Sequence, residues 1–452
     1  MTSAASEEFD LVVRGGTALT ADPARPQIDD AVIGIRDGRL AIVAAASEVG
    51  DLSASRTIDA SGFVITPGLI NVHTHTILCM VRGVAEDMGF APAYTPGVPH
   101  GHEVTPDEAR ALARLGAMEA MLFGSTLIND SYVHADVTLP AMAELGLRVF
   151  ACGRIHDVDF STVHRQVWEH KQAIGERTLS EAVSLAERWD GAFGGRAGVQ
   201  LAAHAPDTCS RDLLKAIDTA RRNLGLRVNI HLAQSRIEVE RVRERDGMTT
   251  VELLDDVGLL DDRLLATHCL FLTDDDIVRV GRAGVTVNHI PKGNATGGTA
   301  APTSRLRRAG ARLALGTDNM HADMVEVMRW ALAIGRLQEG AVTDFWQPEH
   351  VFRMATLDGA RAMGLEHEIG SLEPGKKADL VGFDFRRAHL TPNVNPLGNL
   401  IHVAQGRDVD FVVVDGRVVV EGGRPTLVDE AEVRSEAARA ASQLWGRVEK
   451  AA

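Results

Sequence analysis

Short apolar runs alternate with stretches of helical periodicity through the middle of the chain. Eight runs rich in Val, Ile, Leu and Ala stand out: LINVHTH (69–75), STLINDSY (125–132), RVFACGRIHD (148–157), VQLAAHAPDTC (199–209), RVNIHLAQ (227–234), LLATHCLFLT (264–273), VTVNHIPK (285–292) and RLALGTDN (312–319). Most are apolar at the front and polar at the back, as expected of buried strands whose last residues reach a solvent-facing mouth. Helix signals lie between them. TPDEARALARLGAMEAMLF offers Thr105 as N-cap, Pro106 at the first helical position and Glu108 to complete a capping box. Eight strand–helix units predict an α/β fold, a (β/α)8 TIM-like barrel. A doubly wound sheet competes. It does not explain why polar residues gather at the C-terminal end of nearly every strand, where a barrel places its active site.

The flanks follow a different rhythm. FDLVVRGGTALT, AVIGIRDGRLAIVAA and TIDASGFVIT read as short strands broken by Gly-Gly and Asp-Gly hairpin signals. The pattern returns in ADLVGFDF (378–385) and DFVVVDGRVVVEGG (410–423). One small β-sandwich domain built from both chain ends is predicted, with the barrel inserted between its halves. The expected divisions are residues 1–65 and 376–428 for the sandwich, 66–375 for the barrel and 429–452 for a C-terminal amphipathic helix on the outside.

Composition narrows the partners. Among 452 residues, 62 acidic side chains outnumber 47 basic ones, for a formal charge of −15. That balance argues against a nucleic-acid partner, which needs clustered Lys and Arg to neutralise phosphates. The basic clusters at Arg241–Arg245 and Arg305–Arg308 are short and read as solvated helix faces. No run of about 18 apolar residues suggests a membrane span, and MTSAASEEFDLVV is acidic where a signal peptide is basic. Cys79, Cys152, Cys209 and Cys269 are widely spaced with no CxxC, which fits a reducing compartment. A cytoplasmic protein with a small-molecule substrate, and with neither nucleic acid nor membrane as partner, is the expectation.

The chemistry starts with His73 and His75. Two residues apart on a strand, they point to the same face. Two confined imidazoles repel when protonated, so neutral rings sharing a cation are the natural solution. A lone HxH would more often close a strand than bind a metal. Here His204, His231, His268 and Asp318 each end another strand, and a barrel brings such ends to one point. Their convergence predicts a metal centre.

At this point the sequence resembles a known group. TPGLINVHTHTILCMVRGVAED (66–87) is similar to the first-strand signature of the amidohydrolase superfamily, in its branch of cytosine-deaminase-like enzymes, adenosine-derivative deaminases and s-triazine hydrolases. LAAHAPDTCS, NIHLAQS, ATHCLFLTDDDI, VNHIPKGN and LGTDN resemble the later motifs in order, and GSLEPGKKADLVGFD resembles the return to the small domain. The resemblance implies that His73, His75, His231 and Asp318 hold a single metal and that His268 hydrogen-bonds water or substrate. It implies that His204, in the place of the HAPYT histidine, faces substrate. His289 and Asn294 match the HNPxSN segment on the leaving-group side. Arg82, with Glu86 and Asp87, matches the RGxxED loop that shapes the pocket, and a purely structural salt bridge is an equal reading of Arg82. Three imidazoles, a carboxylate and a water suit a divalent Lewis acid, most simply Zn2+, with Fe2+, Mn2+ or Co2+ fitting the same ligands. Two-metal relatives need a bridging Lys or Glu on strand four, and none stands here. Asp318 and His268 are the implied catalytic groups, Gln234 is counted with them, and a homo-oligomer, dimer or tetramer, is implied as well.

The departures lie where substrate is read. The family's HxxE glutamate, which protonates a ring nitrogen, is replaced by Gln234, whose amide orients but supplies no proton. Asp207 stands for the usual tyrosine and Ile290 for asparagine. Gln234 either orients an unusual heterocycle or serves a substrate that needs no ring protonation, or it marks a catalytically weak relative. The expected activity is hydrolytic deamination of a nitrogen heteroaromatic compound. Amide, urea or carbamate hydrolysis, or loss of another group from a triazine-type ring, is the alternative, and a non-catalytic scaffold is the second. The Pro- and Gly-rich stretch 91–103 reads as a lid, with His100 and His102 exposed and unpartnered.

Overall fold

The computed structural model describes residues 8–88, 94–318 and 321–451, so the first three positions of the expected lid lie outside it. Eight parallel strands form the barrel: β1 (Leu69–Thr74), β2 (Ser125–Tyr132), β3 (Arg148–Ile155), β4 (Leu201–Ala203), β5 (Val228–Leu232), β6 (Leu264–His268), β7 (Thr286–His289) and β8 (Arg312–Leu315). They pair in chain order from β1 to β8. A bridge between Thr74 and Asp318 brings the last strand back to the first. Helices on the outside cover the apolar faces, and the helix Pro106–Leu122 begins with the expected Thr105–Glu108 capping box.

Two predicted elements differ. The fourth run is strand over only part of 199–209. Ala197–Val199 and Leu201–Ala203 flank a break at Gln200, and the chain leaves the sheet at His204 because the Ala205 carbonyl takes the N–H groups of Thr208 and Cys209 at 3.1 Å. Nor is Gly15-Gly16 a hairpin. Leu11–Arg14 lies in a four-stranded sheet and Thr17–Leu19 in a seven-stranded one, so the glycines carry the chain between sheets. Both have positive φ, and a Cβ at Gly16 would meet the Ala60 and Phe63 carbonyl oxygens at 2.5 Å. Asp37-Gly38 and Asp415-Gly416 do close hairpins, with φ positive at all four residues as a tight two-residue turn requires.

The seven-stranded sheet joins Thr17–Leu19, Gln27–Asp29 and Phe63–Pro67 to four strands between Leu380 and Pro425. Leu11, Val13, Ile33 and Ile35 from one sheet pack with Ile65, Leu380, Phe411 and Val413 from the other in one buried cluster. Arg148, at the front of β3, ties the barrel to these sheets. Its guanidinium donates to Asp379 at 2.6 and 3.0 Å and to Asp415 at 3.0 Å, and Arg148 and Asp379 are both buried. The helix Glu430–Ala451 lies against Pro106–Leu122, held by Arg114–Glu436 and Arg447–Glu108 ion pairs. All four cysteines are free, and no helix among the described residues is long and apolar enough to cross a membrane.

His100 and His102 are not the unpartnered pair the sequence suggests. His100 is buried, stacks on His102 and on His164, and its Nε2 lies 3.0 Å from the Thr95 carbonyl oxygen. The third ring, far along the chain, is what covers it.

Candidate metal centre

β1 ends by delivering His73 and His75 to the barrel mouth, and the bridge to Asp318 sets the carboxylate beside them. Asp318 Oδ1 lies 3.5 Å from His73 Nε2 and 3.3 Å from His75 Nε2. His231, at the end of β5, places its Nε2 3.4 Å from His75 Nε2. The ligating atoms of His73, His231 and His268 also lie within 4.8 Å of one another. All five residues are buried.

Ring orientation follows from the far nitrogens. His75 Nδ1–H donates to the Ser131 carbonyl, and His231 Nδ1–H donates to the His204 carbonyl at 2.6 Å. A carbonyl oxygen only accepts, so each Nε2 presents a lone pair to the centre. His73 Nδ1 lies 3.3 Å from the Thr267 hydroxyl, and its Nε2 is buried with no hydrogen-bond partner among the described residues. Burial, reinforced by the neighbouring rings, holds His73 and His75 well below the ordinary histidine range. Burial lowers His231 too. Neutral imidazoles and a carboxylate separated by 3.3–3.5 Å match the ligand spacing around a tetrahedral divalent ion with bonds of about 2.0–2.1 Å. The donors fit such an ion.

The backbone is strained at this point. His268 has φ 78° and Asp318 φ 67°, left-handed values uncommon outside glycine. His268 Nδ1–H donates to Asn294 Oδ1 at 3.0 Å, which leaves its Nε2 toward the centre, and burial takes it down to about 3. Asn294 therefore touches His268, while its own Nδ2 is buried without a partner among the described residues. His289 is fully buried with both ring nitrogens unpartnered among those residues, and burial lowers it to about 3. His204 hydrogen-bonds the Thr208 hydroxyl at 2.8 Å and packs against His231 and edge-on to Phe160.

Of the residues that depart from the family pattern, Gln234 and Asp207 are linked through Glu238. The Gln234 backbone N–H donates to Glu238 at 2.8 Å, and its side-chain Nε2 is buried with no partner among the described residues. Asp207 takes the Trp168 indole N–H at 2.9 Å on one oxygen, and its other oxygen is unpartnered among the described residues. Burial pushes Asp207 up to about 6 and Glu238 well above the carboxylate range. Ile290 is buried. Arg82 is exposed and pairs with Glu119 on the helix Pro106–Leu122, so it is not gathered with the histidines.

Several participants carry no sequence signal. Asp130 accepts from the Thr76 N–H at 2.7 Å and hydroxyl at 2.8 Å, fixing the turn after His75. Glu238 holds the backbone of Ala233 and Gln234. Arg154 is half-buried with its guanidinium 4.1 Å over the Phe160 ring, and with Tyr132 and His156 it lines a cavity of about 770 Å³ that none of the five residues of the centre borders. GRIHD could have flagged Arg154, as a charged residue near the end of a buried strand.

Residues 64–419 match the family model described as the amidohydrolase family. A 5-methylthioadenosine/S-adenosylhomocysteine deaminase of Desulforudis audaxviator is 36% identical over 91% of this chain and 94% of its own length. A 5'-deoxyadenosine deaminase of Methanosarcina mazei is 32% identical over 97% of this chain and 99% of its own. Among solved structures, an adenosine deaminase from Xanthomonas campestris with bound zinc superposes with a TM-score of 0.87 at 25% identity, covering 97% and 99% of the two chains. An atrazine chlorohydrolase variant from Arthrobacter aurescens has a TM-score of 0.86 at 23% identity, over 95% of this chain and 100% of that one, a likeness of fold alone. By family match, identity and coverage, the chain belongs to the amidohydrolase family.

Proposed function

We propose that this chain is a mononuclear metal-dependent deaminase in which His73, His75, His231 and Asp318 hold one Zn2+ and water displaces an amino group from a nitrogen heteroaromatic substrate. The observation that carries the reading is the set of inward Nε2 lone pairs facing the Asp318 carboxylate. A divalent cation held there supplies Lewis acidity, which makes water a usable nucleophile near neutral pH. The chain's own groups do the rest. Asp318 takes the proton from the attacking water and passes it to the leaving nitrogen. His268, neutral and fixed by Asn294, receives a hydrogen bond at the attacked carbon's developing hydroxyl. His204, His289 and Gln234 line the heterocycle's side, and Asp207 shapes the wall beyond Gln234.

The deaminase names of the similar chains support an adenosine-type substrate class, with Gln234 and Asp207 favouring a member other than those familiar ones. Gln234 equally favours a second reading, a substrate that needs no ring protonation, such as an amide, urea or carbamate, or a ring losing a different group. Ammonia release across aminopurines, pterins, pyrimidines, triazines and aryl ureas separates the two. Turnover of an aminoheterocycle supports deamination, and turnover confined to ureas or to ring substituents other than amines favours the second reading. We further infer a cytoplasmic homo-oligomer, dimer or tetramer, which light scattering at micromolar concentration tests, a stable monomer being the contrary result. The divisions 1–65, 66–375, 376–428 and 429–452 are proposed as its structural units.

A further inference from the structure

A second set of metal-type ligands stands apart from this centre. His100, His102 and Glu103 lie on the loop before the helix Pro106–Leu122, with ligating atoms all within 4.8 Å of one another. His164, from the segment after β3, adds a ring beside them, outside that 4.8 Å spacing. Its ring stacks on His100 at 5.3 Å between centroids and 23° between planes, and His102 stacks on His100 at 5.5 Å and 7°. His164 Nδ1 is buried with no hydrogen-bond partner among the described residues.

Glu103 caps the turn, its Oε2 accepting the His100 backbone N–H at 2.6 Å. The His100 Nε2 faces the Thr95 carbonyl oxygen at 3.0 Å and its Nδ1 faces Glu103 Oε2 at 3.4 Å. Both oxygens only accept, and a neutral imidazole has one N–H to give. With that proton on Nε2, a ring lone pair and a carboxylate oxygen converge at 3.4 Å. That is the separation of two ligands on one tetrahedral ion with bonds of about 2.0–2.1 Å.

We propose that His100, His102 and Glu103, with a turn of the His164 ring supplying the fourth ligand, bind a second divalent cation of the zinc type beside the cavity lined by His102, Tyr132, Arg154 and Phe160. Imidazoles with one carboxylate select zinc and its neighbours over calcium or magnesium, which take oxygen ligands. The ion would add to a contact the two loops already make, in which Tyr94 stacks on Trp168 at 6.3 Å and packs against Val158, Phe160 and Val163. One of them carries Phe160, which packs at 4.9 Å on His204 and under Arg154 at 4.1 Å. The cation thus fastens a wall of the cavity and takes no part in hydrolysis. The competing account is a protonated His100 paired with Glu103 and no metal at all.

The test is metal stoichiometry of the full chain, stripped with chelator and dialysed against micromolar free Zn2+. The expected result is two equivalents in the wild type and one each in His102→Ala, His164→Ala and the His73→Ala/His75→Ala double variant. His102 is exposed, so its replacement spares the fold. In the double variant reloaded with Co2+, a tetrahedral visible absorption should persist and vanish when His102→Ala is added. One equivalent in the wild type, or an undiminished two in His102→Ala, overturns the site. An undiminished count in His164→Ala alone overturns the assignment of the fourth ligand. Because the double variant removes the first site only, failure here is distinguishable from failure of the catalytic assignment.

Discussion

Thr74 and Asp318 form the bridge that closes the barrel, and the same hydrogen bonds hold Asp318 beside His73 and His75. The Asp318 N–H donates to the His73 carbonyl at 3.0 Å, and its carbonyl accepts from the His75 N–H at 2.7 Å. Closure of the fold and assembly of the site are therefore one event. Asp318 pays for this with a left-handed backbone.

Asp318→Asn should keep the fold, since asparagine tolerates that conformation and retains both backbone bonds, yet lower kcat by roughly 10²–10⁴ through loss of the proton carrier. Asp318→Ala should lose as much activity and also be less stable than the Asn variant, because alanine lacks the short polar side chain that eases a left-handed backbone. Steady-state rates and thermal unfolding of the pair check both. An Asn variant that unfolds as early as the Ala variant would contradict the backbone argument.

Gln234→Glu should lower kcat/KM by roughly tenfold, about 1.4 kcal/mol in barrier height. The new carboxylate would be buried where burial already pushes Glu238 and Asp207 above the ordinary carboxylate range, so its charged form would be costly. Measured on the best substrate found, an equal or higher efficiency would show that Gln234 is not tuned for recognition.

Asp207 gives a pH signature. Burial raises it to about 6, above the unfolded aspartate value, so the folded state favours the protonated form. Stability from that group is complete below the unfolded value and is lost as pH rises through about 6. Asp207→Asn, which keeps an acceptor for Trp168, should gain in relative stability between pH 5 and 8. Unfolding of the two proteins across that range checks it, and a constant difference would refute the shift.

Arg148→Ala should destabilise the chain by about 3–5 kcal/mol, because it strands the buried Asp379 carboxylate between barrel and small sheets. Denaturant unfolding measures the change. A loss under about 1 kcal/mol would mean that the ion pair does not hold the two parts together.

Much of this was legible in the residues and some was not. STLINDSY reads as a strand and is one over its full length, its Asn129 and Asp130 side chains bonding the Val72 carbonyl and the Thr76 N–H of the neighbouring segment and not their own backbone. VQLAAHAPDTC misleads, since one carbonyl, that of Ala205, turns the chain out of the sheet. The histidines at strand ends were visible because a barrel converts sequence period into convergence. Their ring orientation was hidden, as it depends on the backbone carbonyls of Ser131 and His204, which no side-chain pattern encodes. Gly15-Gly16 looks the same in a hairpin and a crossover, and only the carbonyls facing the missing Cβ tell them apart.

The central claim is that one divalent cation sits among His73, His75, His231 and Asp318. Anomalous diffraction at the zinc edge, on crystals of the metal-loaded protein, measures it most directly. The account predicts a peak about 2.0–2.1 Å from the Nε2 atoms of the three histidines and a carboxylate oxygen of Asp318, absent in the folded His73→Ala/His75→Ala variant. An active wild-type protein with no peak at that point, or a variant that keeps it at full occupancy, would contradict the account.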